Sequence, residues 1–312
     1  MPSFTHPAPR HRRVRAAAGA LALAALLTAC GSAGTAHDMA GMHHGSTPAD
    51  AGSGGATPSS PSLHGAGDDV PDTDGADGLS DHRAGYRFAA TATTLPAGTA
   101  TGLDFSITGP DDRPVTAFAV EQTERMHLYA VRSDLTGFQH LHPVMAPDGT
   151  WRAPLAALTP GSWRVYTSFT PDSGAGKGTA MVLSRTVTVD GDATAEPLPA
   201  PAATAVADGY TVTVQGDPAA LTGHGLTIGI TRDGRPVTDL QPYLDAYAHL
   251  TAFHEGDAAF AHLHPVSRAD GDHGGPDLSF HGEFGRSGLW RLFLQFRTAG
   301  QLHTAALTVR TG

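Results

Sequence analysis

Short runs of alternating apolar and polar residues fill the chain from Gly85 onward, separated by turns rich in Gly, Pro and Asp. One face of the segment "GSWRVYTSF" carries Trp163, Val165 and Phe169. The matching face of "GLWRLFLQF" carries Trp290, Leu292, Leu294 and Phe296. A period of two residues is typical of half-buried β-strands, whereas helical periodicity of useful length does not appear after the N-terminal region. The pattern therefore predicts an all-β fold.

The second half of this region repeats the first. An offset of 122 residues superimposes the Arg-Pro-Val-Thr of 113–116 on that of 235–238. The same offset aligns 127–143 with 249–265, where eight of seventeen residues are identical. Farther along, the offset becomes 127, as a loop insertion in the second copy requires. Copies of this size, with strand and turn signals at this spacing, predict two tandem immunoglobulin-like β-sandwich domains.

The N-terminal region has a different composition. Residues 1–29 combine a basic start, a short apolar run and small residues before Cys30, which predicts a lipoprotein signal peptide with Cys30 as the lipidated residue. An acidic segment rich in Gly, Ser, Pro and Asp follows at 30–83 and is predicted to be a disordered tether. The remaining predicted segments are the first domain at 84–190, a proline-rich linker at 191–202 and the second domain at 203–312.

Charge and cysteine content narrow the classes of partner. The formal net charge of −10 becomes −14 without residues 1–29, which hold four arginines and no acidic residue. A chain this acidic has no electrostatic basis for binding nucleic acid. The leader places the protein on the extracytoplasmic face of the cell membrane, held by a lipid anchor. Because Cys30 is the only cysteine, a metal in the domains must be held by His, Met or carboxylate groups.

Three histidines in each copy are predicted to share one face of a β-hairpin. In the first copy, the strand that begins at His127 turns near Asp134-Leu135 and returns through "FQHLHP". Pairing about this centre places His127 opposite His142, and it places Tyr129 opposite His140. The second copy turns at Gly256-Asp257, and its equivalent histidines are His249, His262 and His264.

This arrangement favours a metal site in each domain. Opposed Cβ atoms across a hairpin lie about 5 Å apart and i, i+2 neighbours roughly 7 Å apart, so three imidazoles can converge on one ion. Neutral imidazole suits copper, or alternatively zinc. The competing interpretation is a buried core in which backbone carbonyls satisfy the histidines, because Phe138 and Phe260 share the same face.

Other chemistry-bearing residues give weaker signals. The tether segment "HDMAGMHHG" mixes thioether and imidazole groups, as expected of a flexible copper-capturing segment, although a chance cluster is the alternative. Its candidate ligands are His37, Met39, Met42, His43 and His44. His281 occurs only in the second copy, where it is either a fourth ligand or a surface residue. No catalytic triad, phosphate loop or carboxylate pair stands out, so no enzymatic activity is predicted.

The segment Met126–Pro143, "MHLYAVRSDLTGFQHLHP", contains the pattern D-L-x-x-F-x-H-x-H-P. It resembles a segment of bacterial envelope proteins with YtkA-like or CopC-like sandwich domains, and the resemblance is thinner over Tyr247–Pro265. The resemblance implies an envelope lipoprotein associated with heavy-metal handling. The function predicted from these features is copper sequestration or delivery, with an envelope metal-handling protein as partner. The alternative is a non-metal adhesion or assembly module of the cell surface, in which the histidines are structural.

Overall fold

The computed structural model describes residues 77–217, 219, 221 and 225–312, and these form β-strands and loops without a helix. The first ten strands are β1 (His82–Arg83), β2 (Tyr86–Ala90), β3 (Thr94–Leu95), β4 (Thr101–Thr108), β5 (His127–Arg132), β6 (Phe138–Leu141), β7 (Val144–Met145), β8 (Trp151–Leu155), β9 (Gly161–Phe169) and β10 (Met181–Val189). The other nine are β11 (Thr204–Ala207), β12 (Tyr210–Val214), β13 (Gly225–Arg232), β14 (Arg235–Pro236), β15 (Ala248–His254), β16 (Phe260–Pro265), β17 (Asp277–His281), β18 (Gly288–Thr298) and β19 (Gln301–Thr311). No helix among the described residues is long and apolar enough to cross a membrane.

Alternation of side chains explains the strands. In β4, Leu103, Phe105 and Ile107 are buried, whereas the residues between them are partly exposed. Successive side chains of a strand point to opposite faces, so this pattern buries one face of the sheet. The apolar faces expected of "GSWRVYTSF" and "GLWRLFLQF" likewise pack into the two cores. The predicted all-β fold is confirmed.

The first domain is a sandwich of two five-stranded sheets. One has the order β1-β2-β4-β8-β7 and the other the order β3-β10-β9-β5-β6. With β2, β4, β8 and β7 as strands A, B, E and D, the opposite sheet reads G, F, C and C′ through β10, β9, β5 and β6. This is the strand order of an immunoglobulin-like sandwich, which confirms the predicted architecture. Its core includes Phe105, Trp151 and Trp163.

Among the described residues, the second domain repeats this order without counterparts of β3 and β7, and its two halves are joined. Its strands form a continuous sheet, β11-β12-β13-β17-β16-β15-β18-β19, which folds over a core containing Trp290 and Phe296. The two halves are joined because β16 pairs with β17 at His264 and His281. In the first domain the corresponding strands belong to separate sheets.

A third apolar cluster lies between the two domains. It contains Tyr129 and Tyr166 of the first domain together with Phe253, Phe260 and Phe293 of the second. Both domains contribute the outer face of the sheet that holds their histidine hairpin. Every residue of β5 is therefore buried, because one face of the strand covers its own core and the other is covered by the second domain. We call this cluster the interdomain cluster.

Two connecting segments lie along the paired domains. In the linker, the carbonyl of Thr194 accepts a hydrogen bond of 2.9 Å from Nη2 of Arg132. At the start of the described region, the carbonyl of Asp77 accepts one of 2.8 Å from the backbone N–H of Phe260. Ser80 accepts another of 2.8 Å from the N–H of Ser184. Backbone just before the first domain thus contacts both domains.

Gly137 allows the histidine hairpin to pack on its own core. A Cβ atom at this position would overlap the buried ring of Trp163. We expect Gly137→Ala to lower the free energy of unfolding by about 1–3 kcal/mol, the usual cost of overpacking a core. Urea denaturation followed by tryptophan fluorescence measures this change. Gly285→Ala is the control for loss of a glycine, because open space surrounds its Cβ position and its φ lies outside the left-handed region.

Candidate metal centre

The first hairpin has the predicted register. Tyr129 pairs with His140, and Leu128 with Leu141, which places His127 and His142 at the open end of the two strands. The turn is centred on Asp134-Leu135, where Leu135 adopts a φ of +60°. Because the side chains of a strand alternate between faces, His127 and His140 emerge on the same side as the interdomain cluster. His142 follows directly after β6.

His127, His140 and His142 converge. One ring nitrogen from each lies within 4.8 Å of the others, and no other group of three potential ligand residues among the described residues meets this distance. The Nδ1 atom of His127 lies 3.1 Å from Nε2 of His140. Two imidazole nitrogens bound to one tetrahedral ion at about 2.0–2.1 Å are themselves about 3.3 Å apart. The spacing of this pair therefore suits a shared metal ion.

The opposite nitrogens of these two rings face hydrogen-bond acceptors. Nε2 of His127 donates to the carbonyl of Glu121 at 3.1 Å, because a carbonyl can only accept. Nδ1 of His140 lies 2.7 Å from the side-chain carbonyl oxygen of Gln295. With both outer nitrogens as donors, the facing nitrogens of the two neutral rings carry lone pairs. Two lone pairs at this distance repel each other, and a metal ion between them would remove that repulsion.

His142 provides the third nitrogen. Its Nε2 atom is buried and has no hydrogen-bond partner among the described residues. Its Nδ1 atom lies 3.7 Å from Oε1 of Glu124, and 22% of the His142 side chain is exposed. A carboxylate behind a histidine orients the ring and increases its basicity toward a metal. His142 would complete a three-nitrogen site by moving inward.

Burial keeps the three imidazoles neutral. It lowers the pKa of His127 from 6.5 to about 4, against the opposing effect of the Glu121 carbonyl. It also lowers the pKa of His142 to about 4. For His140, burial and then the adjacent His127 and His142 hold the pKa well below its usual value. A neutral imidazole is the form that binds metal ions, so the site is in its ligand form at neutral pH.

The second hairpin also has the predicted register, with Thr251 opposite His262. Its histidines are spread out rather than gathered. The ring of His262 lies 4.9 Å from that of His249 and 4.5 Å from that of His264, measured between centroids. The ring of His264 in turn lies 5.6 Å from that of His281, which is exposed. His262 lies between His249 and His264 instead of closing a compact triad.

The two sets of histidines meet at the interdomain cluster, which the sequence did not reveal. The ring of His249 stacks on that of His140, with centroids 4.7 Å apart, and lies 5.8 Å from that of His127. Tyr129 also crosses the interface, and its hydroxyl lies 3.1 Å from Nε2 of His249. The histidine face is thus neither the core of a sandwich nor open surface. It is the face on which the domains pair.

Gln295 is the residue of this site that sequence reasoning missed. It lies on β18 of the second domain, is 4% exposed, and contacts a histidine of the first domain. The sequence did contain an indication of its role, because Gln295 is a polar residue within the mostly apolar segment "GLWRLFLQF". The predicted lipidation at Cys30 and the tether residues His37, Met39, Met42, His43 and His44 lie outside the described residues.

A family described as "Domain of unknown function (DUF8832)" matches the chain twice, at residues 81–191 and 204–312. The chain belongs to the DUF8832 family. The two matches correspond to the two sandwiches, so each DUF8832 domain of the chain contains one histidine hairpin. No curated protein matches this sequence. The resemblance to YtkA-like and CopC-like proteins stays a prediction.

Several solved structures resemble this DUF8832 chain weakly. FdeC, an adhesin of Escherichia coli, is 15% identical with a TM-score of 0.24, over 73% of this chain and 64% of the adhesin chain, which is less than two thirds of its length. The fibronectin(III)-like modules of CbhA from Clostridium thermocellum are 10% identical with a TM-score of 0.20, over 72% and 92%. The Ig1-2 module of the Drosophila receptor phosphatase DLAR is 9% identical with a TM-score of 0.21, over 73% and 98%. The assignment of the fold rests on the strand order of the chain itself.

Proposed function

We propose that this protein binds copper through His127, His140 and His142, and that it serves to sequester or deliver the metal outside the cytoplasm. The observation that carries the proposal is the orientation of the three rings. Their outer nitrogens lie toward Glu121, Gln295 and Glu124. The inner nitrogens of His127 and His140 face each other, and one nitrogen of each of the three rings lies within 4.8 Å of the others. A cation at the centre would satisfy every one of these groups at once.

The donor set favours copper. Three neutral imidazoles suit copper and zinc, and the affinity of such a nitrogen site rises toward Cu(II) in the divalent series. Zinc is the alternative, because three histidines with one open position are also a zinc arrangement. The second set, His249, His262 and His264, stays a predicted site of the same kind.

The proposed location and partners rest on the sequence outside the described residues. A lipid on Cys30 would hold the protein at the extracytoplasmic face of the membrane, and the segment at 37–44 would capture ions for the domains. An envelope metal-handling protein would supply or receive the copper. These parts of the proposal are supported by the leader and by the thioether and imidazole groups of the tether.

The second candidate is an adhesion or assembly module with structural histidines. It is favoured by the continuity of the histidine rings with the interdomain cluster, since Tyr129 stacks on His140 with centroids 4.4 Å apart. In that case the rings would stabilise the pairing of the domains, and metal would have no specific site.

Titration with Cu(II) and Zn(II) separates the two candidates. We expect a protein with the segment 37–44 deleted to bind copper tightly, and the variant His140→Gln/His142→Gln to lose that binding while remaining folded. The control variant His82→Gln/His273→Gln replaces two exposed histidines and should bind as the parent does. Equal copper binding by parent and site variant would disprove the assignment of the ligands. Restoring residues 37–44 should raise the total copper capacity if the tether captures ions.

A further inference from the structure

We propose that the two domains form one composite metal centre, in which Gln295 of the second domain positions His140 of the first. This inference rests on the proposed function, and it assigns the centre to the domain pair rather than to each domain. A glutamine is expensive to bury unless both ends of its amide find partners. Gln295 meets this condition by contacting His140 at 2.7 Å and the hydroxyl of Thr304 at 3.4 Å.

The contact from Gln295 determines which nitrogen of His140 can bind metal. An acceptor at Nδ1 fixes the proton there and leaves Nε2 directed at His127. Groups in this position behind a metal-bound histidine set its tautomer and its ring orientation. Since the acceptor belongs to the second domain, the ligand geometry of the first domain depends on how the domains pair.

The pairing has an approximate two-fold symmetry. Phe138 packs on Phe293, and the equivalent pair, Phe260 and Tyr166, also lies in ring contact. His127 stacks on its own equivalent, His249. This symmetry predicts that each polar contact across the interface should occur twice. Among the described residues, the two contacts that involve histidine, His140 with Gln295 and Tyr129 with His249, occur once each.

The missing contacts follow from two sequence differences between the copies. The residue equivalent to Gln295 is Ser168, which is too short to reach His262 as Gln295 reaches His140. The residue equivalent to Tyr129 is Thr251, which cannot cross to His127 as Tyr129 crosses to His249. Oγ1 of Thr251 is accordingly buried without a hydrogen-bond partner among the described residues. The same is true of Nε2 of His262, the atom whose counterpart in His140 faces His127.

The asymmetry distinguishes the two sets of histidines. The first set has groups on the outer side of all three rings, and one nitrogen of each ring lies within 4.8 Å of the others. In the second set, His249 is engaged by Tyr129 of the other domain. The divergence of Gln295 from Ser168 and of Tyr129 from Thr251 therefore concentrates the metal centre on the first hairpin. The second domain contributes the group that orients it.

Copper affinity and the spectrum of the bound ion test this role. With residues 37–44 deleted throughout, we expect one tightly bound Cu(II) per chain. Gln295→Leu should weaken binding by about 10- to 100-fold, the usual effect of removing a partner of a metal-bound histidine. Gln295→Glu retains an acceptor and should keep affinity near that of the parent, with altered electron paramagnetic resonance parameters because a carboxylate makes His140 more basic. Ser168→Ala, at the equivalent position, is the matched control and should change neither quantity.

The experiment distinguishes failure of the composite centre from failure of the proposed copper binding. Tight copper binding that survives Gln295→Leu, or two ions of equal affinity per chain, would overturn the composite centre and leave copper binding intact. Absence of copper binding in the parent would overturn both. If Gln295→Leu fails to fold, the Gln295→Glu variant decides, because an unchanged spectrum contradicts a contact with His140.

Discussion

Lowering the pH from 6.5 toward 4 is expected to destabilise the metal-free protein strongly, before most carboxylates titrate. Five imidazoles at the domain interface are held neutral by burial, and each must gain a proton in acid. They are His127, His140, His142, His249 and His262. A buried imidazolium without a counter-ion is far more costly than a neutral ring.

The sign follows from the direction of these pKa changes. In the unfolded chain a histidine titrates near 6.5, whereas burial lowers the pKa of His127 in the folded protein to about 4. Between these values the unfolded chain binds more protons, so stability falls as the pH falls. The contribution of the neutral ring to stability is fully present above pH 6.5, and it is lost progressively as the pH falls to about 4. For His127 alone the difference corresponds to about 3 kcal/mol, and the neighbouring rings add to it because their positive charges repel.

Urea denaturation at intervals between pH 7.5 and pH 4 measures this dependence in the presence of a chelator. His262→Leu should flatten the profile, because it removes one ring that is neutral in the folded state. His273→Gln, which replaces an exposed histidine, should leave the profile unchanged. A stability that is constant down to pH 4.5 would show that the rings are solvated or already charged, contrary to the packing described.

The hairpins could be predicted from the sequence because their geometry is local. Once the turn is placed at Asp134-Leu135, the pairing of Tyr129 with His140 follows by counting, since the side-chain period of a strand is two residues. The same count in the second copy pairs Thr251 with His262, as the structure shows. The two sandwiches followed from the length of the repeat and the spacing of the strands.

The relation between the domains could not be predicted in the same way. Tyr129 and Phe253 alternate with core residues along their strands, and an apolar outer face indicates a partner without identifying it. Gln295 reaches His140 only because the second domain covers the first hairpin. The two copies share the histidines, and they differ at the residues that cross the interface. The alignment of the copies shows that difference, but its meaning depends on the packing.

Replacing Phe293 by alanine is expected to weaken both the pairing of the domains and the proposed centre. The Phe293 ring is 3% exposed and stacks on that of Phe138, with centroids 4.1 Å apart and planes at 6°. Truncating a buried phenylalanine costs about 3–5 kcal/mol, and part of that cost comes from the cavity left behind. Phe293 and Gln295 lie on the same face of β18, so loss of the ring also frees the glutamine from its position against His140.

The link between packing and metal binding is tested by measuring both stability and copper affinity. Urea denaturation of Phe293→Ala should show the loss of stability, and Leu302→Ala, an exposed position on β19, should change it by less than about 0.5 kcal/mol. A double-mutant cycle with Phe138→Ala should give a coupling energy of about 0.5–3 kcal/mol, since the two rings touch. Phe293→Ala should also lower the copper affinity, as Gln295→Leu does. Stability lost with copper affinity unchanged would mean that the first hairpin holds its ligands without the second domain.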